Sequence, residues 1–359
     1  MRVLIVSNMY PSSEHPAYGG FVLEQVEALR GCGIEIDLAV IRDRKKGLKA
    51  NLRKYLGLMV SLIGSMSKRY DVIHAHYLFP TGFLALPFAL LTKTPLVLTA
   101  HGGDIRLGKK APFKLLTRMT IRLAAKVIAV SEALAEEIKN SFSVPADKVM
   151  VASCGVDRKL FYPRDRAECR AKLGIPVEKK VILFVGNLVA VKGVSSLLAA
   201  VARVAEAEPL VALILVGEGP LREELIAQAE RLGIAERCQW WQPVKHEKIP
   251  EMMSAADILV LPSQHEGFGL VALEAHACGL PVVAANVGGL PEIVADHRTG
   301  FLVEPGDVDG LLAGIKKLLA AEELRRSMGE AAQLAAKKHC RLEQIDKVKR
   351  LYALLKRKK

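Results

Sequence analysis

No stretch of this 359-residue chain is long and apolar enough to cross a bilayer as a helix. The two longest apolar runs, YLGLMVSLIGSM and YLFPTGFLALPFALL, fall short of the roughly 18 residues required, and Pro80 and Pro87 interrupt the second. Six cysteines, at 32, 154, 169, 238, 278 and 340, show neither C-x-x-C spacing nor the clustering of a disulfide framework, so buried thiols in a reducing compartment are expected. There is no G-x-x-x-x-G-K-[ST] loop and no strand-coupled G-x-G-x-x-G, which speaks against a kinase and a dehydrogenase. Low-complexity tracts and internal repeats are also absent. The opening MRVLIVSNMYPSS has one basic residue and a short apolar run leading into a loop; it reads as a first strand, not a signal peptide, and a cytoplasmic protein is expected.

What is present is a globular composition, 51% hydrophobic and 25% charged, at a length that favours two domains. The formal charge of +13 is unevenly placed: 25 basic residues face 14 acidic ones up to residue 167, against 26 and 24 beyond it. Nucleic acid or an anionic membrane could meet such a basic first half. With no nucleic-acid motif and no interleaved aromatics, the membrane is the expected partner and nucleic acid is not.

Short apolar runs, RVLIV, IDLAVI, DVIHAH, PLVLTAH, AAKVIAVS and KVMVAS, alternate with helix-like segments such as VLEQVEALRGCG. The alternation predicts a parallel sheet covered on both faces. It begins again with KKVILFVGNL, PLVALILVGEG, CQWWQPV, AADILVLPS, LPVVAANVGG and GFLVEPG, so a second sheet follows. Prolines and charges in RKLFYPRDRAECRAKLGIPVEKK break both periodicities and put the linker near residues 163 to 178. The expectation is an α/β chain of two doubly wound, Rossmann-like domains, 1–165 and 166–340, facing a central cleft, with a helix at about 341–359 packing back on the first. Ligands of such sheets bind beyond the carboxyl ends of the strands.

Chemistry is most legible in LPSQHEGFGLVALEAHACG, where Glu266 and Glu274 sit eight positions apart in a stretch otherwise almost free of charge. Carboxylates among apolar residues are costly unless something pairs with them. LPS ends a strand and LVALEAHAC reads as a helix, which puts Gly267, Phe268 and Gly269 at the helix N-terminus. Backbone N–H groups and the helix dipole there favour phosphate, and glycine permits close approach. Glu274, about a turn into the helix, could accept hydrogen bonds from a ribose diol while Glu266 reaches another part of the ligand, a pattern that describes a nucleotide sugar. A helix-capping loop with two solvated glutamates is the plainer alternative. LFVGNLVAVKGVSSLLAA repeats the grammar, with Lys192 and Gly193 at a helix start where a cation opposes the dipole unless an anion such as diphosphate binds. Gly217 opens a further glycine turn. In the first half Gly19 and Gly20 precede a helix, and His101 ends a strand before two glycines and Asp104. His74 and His76, two apart with no third ligand in view, predict local hydrogen bonding over a metal site. Asp307 and Asp309 in GDVDG read as a helix N-cap.

In order along nearly the whole chain, GGF, HAH, TAHGGD, VSEAL, CGVDRKLFYP, VGNLVAVKG, LVGEGPLREEL, AADILVLPS and the E-x7-E segment resemble glycosyltransferase family 4, retaining enzymes of the GT-B fold that use nucleotide-diphospho-sugars. The resemblance implies that Glu266 contacts the donor sugar, Glu274 the ribose, and the Gly267-Phe268-Gly269 amides the phosphates and sugar hydroxyls, with Leu270, Gly217 and Asn187 completing the donor side. It also implies that Lys192 neutralises the leaving diphosphate, that Gly19 and Gly20 lie beside it, and that His101 lines the sugar site. His101, Lys192 and Glu266 are then the catalytic set, and Asp104 and His76 the acceptor side. The family usually has arginine at the position of Asn187, so Lys192 and backbone amides must carry more of the leaving-group stabilisation. Gln242 stands where glycine is common in the base-binding loop. Within the family, SNMYPSS, GGFVLEQVEAL and VGNLVAVKG look most like bacterial envelope or exopolysaccharide transferases, including teichuronic-acid-type enzymes.

The implied reaction moves a sugar from a UDP-type donor to a glycan or lipid-linked acceptor, with no metal or other cofactor required because helix N-termini and Lys192 can stabilise the departing diphosphate. The alternatives are a nucleotide-sugar epimerase of related fold and a non-catalytic sugar-nucleotide-binding protein. Lys114, Arg118, Arg122 and Lys126 recur every four residues and on one helix would form a stripe beside Leu115, Leu116, Met119 and Leu123. A second cluster, Arg42 to Lys54, runs into YLGLMVSLIGSM. Both predict peripheral attachment of the first domain to the inner face of the cytoplasmic membrane.

Overall fold

In the computed structural model, which describes residues 1–15, 18–43 and 47–356, each of the twelve apolar runs becomes a strand. The first six are β1 (Arg2–Ser7), β2 (Glu35–Val40), β3 (Val72–His76), β4 (Leu96–Ala100), β5 (Lys126–Ala129) and β6 (Val149–Val151). Between them lie helices α1 (Gly20–Gly31), α2 (Leu48–Ser65), α3 (Phe83–Leu91), α4 (Gly103–Gly108), α5 (Phe113–Leu123) and α6 (Glu132–Phe142). The strands pair in parallel in the order β2-β1-β3-β4-β5-β6, with Ile5 opposite His74 and His76 opposite Thr99. The near-continuous burial of β1, β3 and β4 is what the centre of a sheet covered on both faces demands.

The second sheet uses β7 (Lys180–Val185), β8 (Val211–Val216), β9 (Cys238–Trp241), β10 (Ile258–Leu261), β11 (Val282–Ala285) and β12 (Gly300–Val303). Its helices are α7 (Arg166–Leu173), α8 (Val194–Ala205), α9 (Arg222–Arg231), α10 (Ile249–Ala255), α11 (Leu270–Ala277), α12 (Leu290–Ile293), α13 (Val308–Ala320) and α14 (Glu322–Ala336). The order is β12-β11-β10-β7-β8-β9, again all parallel. Both sheets are doubly wound: the chain leaves β1 in one direction and returns on its other side at β3, and does the same at β7 and β10.

The chain divides into Met1–Cys154 with Arg341–Lys359, and Gly155–Cys340. The last helix, α15 (Arg341–Leu355), belongs to the first unit, where Ile345, Val348 and Tyr352 join Val3, Val26 and Leu29 in the core. The first division falls after Cys154 and not at 165, because the following segment is tied into the second unit: Phe161 is buried with its ring 5.0 Å from that of His246, and the Arg164 amide donates to Ser254 Oγ at 3.3 Å. Nor is 163–178 a linker. It holds α7, whose buried Arg170 donates to Asp257 Oδ2 at 2.8 Å, an anchor that Arg166 shares from Oδ1 at 2.9 Å.

The four-residue spacing of cations in the first half also misleads at one position. α5 ends at Leu123, and Ala124 turns to extended backbone, so Lys126 opens β5 and its ammonium donates to the Asp147 carbonyl instead of extending the stripe. Of the cluster from Arg42 to Lys54, residues 44–46 lie outside the described residues. Among the described residues, no helix is long and apolar enough to cross a membrane.

Candidate active site

In the second unit the point where the strand order reverses is the gap between β7 and β10, and the loops after these two strands lie together. The Gln264 amide donates to the Val191 carbonyl at 2.8 Å, which docks the loop after β10 on the loop after β7. Gly193, the N-cap of α8, has φ +65°, and a Cβ there would stand 2.0 Å from the Pro262 carbonyl oxygen. Only glycine allows that approach. Across this contact Lys192 Nζ donates to Glu266 Oε2 at 2.5 Å, with Ser263 Oγ at 3.4 Å from the same oxygen. Both groups are partly exposed, at 24% and 18% of their side chains.

Glu274 lies one turn inside α11, its side chain 4% exposed, and accepts from His246 Nε2 at 2.7 Å. Each glutamate that sequence reasoning assigned to a ligand is therefore already engaged by a basic side chain from a distant loop. His246 was missed, since a histidine in the short turn after β9 carries no local signal. Phe268 and Gly267 are buried, and Gly288 folds so closely over them that a Cβ on it would lie 1.7 Å from the Glu266 carbonyl oxygen. Gly269 and Leu270 begin α11, and among the described residues neither α8 nor α11 has its N-terminus capped by a side chain. Two helix N-termini with their dipoles thus converge where Lys192 sits, an arrangement that suits an anion. Asn187 is exposed at the start of the same loop, and buried Gly217, at the end of β8, receives close packing from the Gly186 carbonyl.

In the first unit the reversal lies between β1 and β3. Gly19 caps α1 in a left-handed conformation, and Gly20 beside it has open space where a Cβ would stand. His101 follows β4, with the Phe21 ring 4.6 Å and the Tyr77 ring 5.0 Å away. Behind it stands a column of imidazoles: His76 Nδ1 meets His101 Nε2 at 3.0 Å, His76 stacks on His74 at 4.7 Å, and His74 bonds to Thr99 Oγ1 at 2.6 Å and to the Tyr352 hydroxyl. This is the local hydrogen bonding expected of the two strand histidines. Burial holds His74 and His101 well below the usual histidine range and His76 down to about 3, so the column is uncharged at neutral pH. A small opening is lined by Phe21, Glu24, His76, His101 and Gln344.

Asp104 is not part of that lining. Its buried carboxylate accepts from the amides of Leu78 at 2.8 Å, Gly102 at 2.9 Å and His101 at 3.2 Å, so it shapes the loop that carries His101 and faces no acceptor. Burial raises its pKa against the pull of those donors. Asp307 accepts from the Gly310 amide and caps α13, as expected of the D-x-D spacing. Among the described residues no His, Cys, Asp and Glu cluster has metal-binding geometry.

Residues 15–160 match the family model described as Glycosyltransferase Family 4, and residues 165–335 that described as Glycosyl transferases group 1. Over 302 residues the chain is 35% identical to the D-inositol 3-phosphate glycosyltransferase of Segniliparus rotundus, covering 80% of this chain and 67% of that protein. Over 278 residues it is 32% identical to the N-acetyl-alpha-D-glucosaminyl L-malate synthase of Bacillus anthracis, covering 77% and 72%. Among solved structures, Anabaena HepE in complex with UDP-glucose superposes with a TM-score of 0.81 at 22% identity, over 98% of this chain and 99% of that one, a likeness of fold.

Proposed function

Because the chain belongs to the group 1 and family 4 glycosyltransferases, with the two parallel α/β sheets of the GT-B class, we propose that it transfers a sugar from a UDP-type nucleotide donor to a hydroxyl of a glycan or lipid-linked acceptor, with retention at the anomeric carbon. The observation that carries this reading is the Lys192–Glu266 pair set between the uncapped N-termini of α8 and α11 at the reversal point of the second sheet. Bacterial envelope or exopolysaccharide synthesis is the setting that fits a lipid-linked acceptor.

In this reading an incoming diphosphate competes with Glu266 for Lys192 and takes up the amides at the two helix starts. Glu266 is thereby released to sugar hydroxyls, and Glu274, poised by His246, meets the ribose. The bond from the anomeric carbon to the β-phosphate oxygen breaks with its electron pair leaving on phosphate. The acceptor oxygen bonds to the same face of that carbon, and its proton passes to the departing phosphate. Negative charge growing on the leaving group is met by Lys192 and the helix dipoles, so the step asks for no metal. His101, in the first unit, is held uncharged by burial and would act through hydrogen bonds and shape, not as a cation.

A small hydroxylated anion is the second reading of the acceptor, favoured by the relatives whose names carry D-inositol 3-phosphate and L-malate. A thermal-shift panel of nucleotide sugars, followed by product analysis without acceptor, tests the function. Stabilisation by UDP-sugars and slow release of UDP are expected. An isomeric nucleotide sugar as product would instead identify an epimerase, and a melting temperature indifferent to every nucleotide would leave a transferase without its donor site. In the same reading the protein works on the cytoplasmic side, and the excess of basic residues in its first half supports attachment to the membrane there.

A further inference from the structure

α2 turns an apolar side outward. Leu58 and Leu62 are buried, yet Leu48, Leu52, Leu56, Val60 and Ile63 are between 57% and 88% exposed. At 3.6 residues per turn these five fall within an arc of about 120° along a helix roughly 27 Å long. Exposed Lys49 lies within the arc at the start of the helix, and exposed Arg53 borders it. α3 packs against both α2 and α5 and exposes Leu90 and Leu91 at its end, at 53% and 71%. α5 adds Leu115, Met119 and Leu123, exposed at 74%, 40% and 52%, one helical repeat apart and beside Lys114, Arg118 and Arg122. None of the three helices contains an aspartate or a glutamate.

Scattered surface leucines need no explanation, but a contiguous row on neighbouring helices marks a surface that meets something apolar. We propose that the outer sides of α2, α3 and α5 dock the protein on an anionic lipid bilayer, with the aliphatic row entering the acyl boundary and the lysines and arginines meeting headgroup phosphates. Charge selects this occupant. A second copy would bring five cations, Lys49, Arg53, Lys114, Arg118 and Arg122, against the same five with no carboxylate on these helices, whereas an anionic leaflet neutralises all of them. The inference deepens the peripheral attachment stated above by naming the surface and by adding a contribution that salt does not screen.

The test is co-sedimentation of the intact protein with phosphatidylglycerol-containing and pure phosphatidylcholine vesicles, at low and high salt and without substrate. Wild type is expected to pellet with the anionic vesicles and to keep part of that binding at high salt. Lys114→Gln with Arg122→Gln should lower low-salt partitioning roughly thirtyfold, since each cation near an anionic leaflet contributes about fivefold. Leu56→Glu with Val60→Glu should remove the salt-resistant part while melting temperature and UDP affinity stay at wild-type values. Wild type left in the supernatant of anionic vesicles at low salt would overturn the proposal, as would unchanged high-salt pelleting of the Leu56→Glu/Val60→Glu variant. So would lipid-free self-association that this variant abolishes, which would assign the surface to a second copy. UDP binding is measured separately, so failure here leaves the donor reading standing.

Discussion

Glu266 and Glu274 show how far a residue's place in the sequence reveals its work. Their spacing and apolar surroundings mark them as unusual from the sequence alone, but their partners lie 74 and 28 positions away, at Lys192 and His246. The first pairing follows from the order of strands, which places β10 beside β7, and the second from α10, which starts just after His246 and packs on α11; no local period encodes either. Asp104 shows the opposite error: a polar residue after a strand end looked like part of a site, and its carboxylate is spent on three backbone amides. Glu274→Ala should weaken UDP binding by roughly ten- to a hundredfold, the effect of losing a charged hydrogen bond of about 1.5–3 kcal/mol, whereas Glu266→Ala should act mainly on turnover. Calorimetric titration with UDP beside steady-state kinetics separates the two; equal UDP affinity in wild type and Glu274→Ala would contradict the ribose role. Lys192→Ala should lower kcat more than it raises KM, because its charge is needed most as the diphosphate departs. A KM effect alone would make it a plain binding residue.

At the scale of elements, the twelve strands were legible because strands of a covered parallel sheet are short and mainly apolar. Boundaries were not. Charges and prolines around residue 166 suggested a linker, but Arg170 is buried on Asp257 and exposed Arg166 reaches the same carboxylate, anchors that composition cannot distinguish from solvated charges. The cation stripe ran one residue too far for a related reason: a period of four continues in sequence after the helix has ended at Leu123. The loops after β7 and β10 meet through glycine, and this yields a sharp contrast. Gly193→Ala must push the Pro262 carbonyl away and hold alanine at positive φ, so it should cost about 1–3 kcal/mol in stability and shift the start of α8, which meets the diphosphate in the proposed reading, reducing UDP affinity. Gly20→Ala, with nothing within 4 Å of its new methyl group, should melt like wild type. Thermal denaturation and UDP titration of both variants check the pair; a Gly193→Ala protein with wild-type affinity would show that the loop contact does not position the site.

At the scale of the whole molecule, the buried neutral histidines set a pH limit. His74, His76 and His276 are buried, with His76 lowered to about 3 and His276 to about 4 by desolvation and His74 lowered well below the usual range. Unfolded, each titrates near 6.5, so above that pH their contribution is fully present. As pH falls below it the unfolded chain takes up protons that the native one refuses, and stability should fall by about 1.4 kcal/mol per pH unit for each histidine. Denaturant titrations between pH 7 and 5 read this slope, which should be shallower by one proton in His276→Gln. Removal of residues 341 onward should be worse: it strips Ile345, Val348, Leu351 and Tyr352 from the core, and at roughly 2–5 kcal/mol per large side chain the loss is comparable to the whole of a typical domain's stability of about 5–15 kcal/mol. Limited proteolysis should then digest residues 1–154 and spare 155–340. The same helix imposes an order on synthesis. A ribosome releases chain from the N-terminus, so the second unit, made of one continuous stretch, can complete its fold while still tethered, but the first waits for a segment synthesised after the second. The unit begun earlier is therefore the one that matures later, holding an unfinished hydrophobic core while the whole of the other is made.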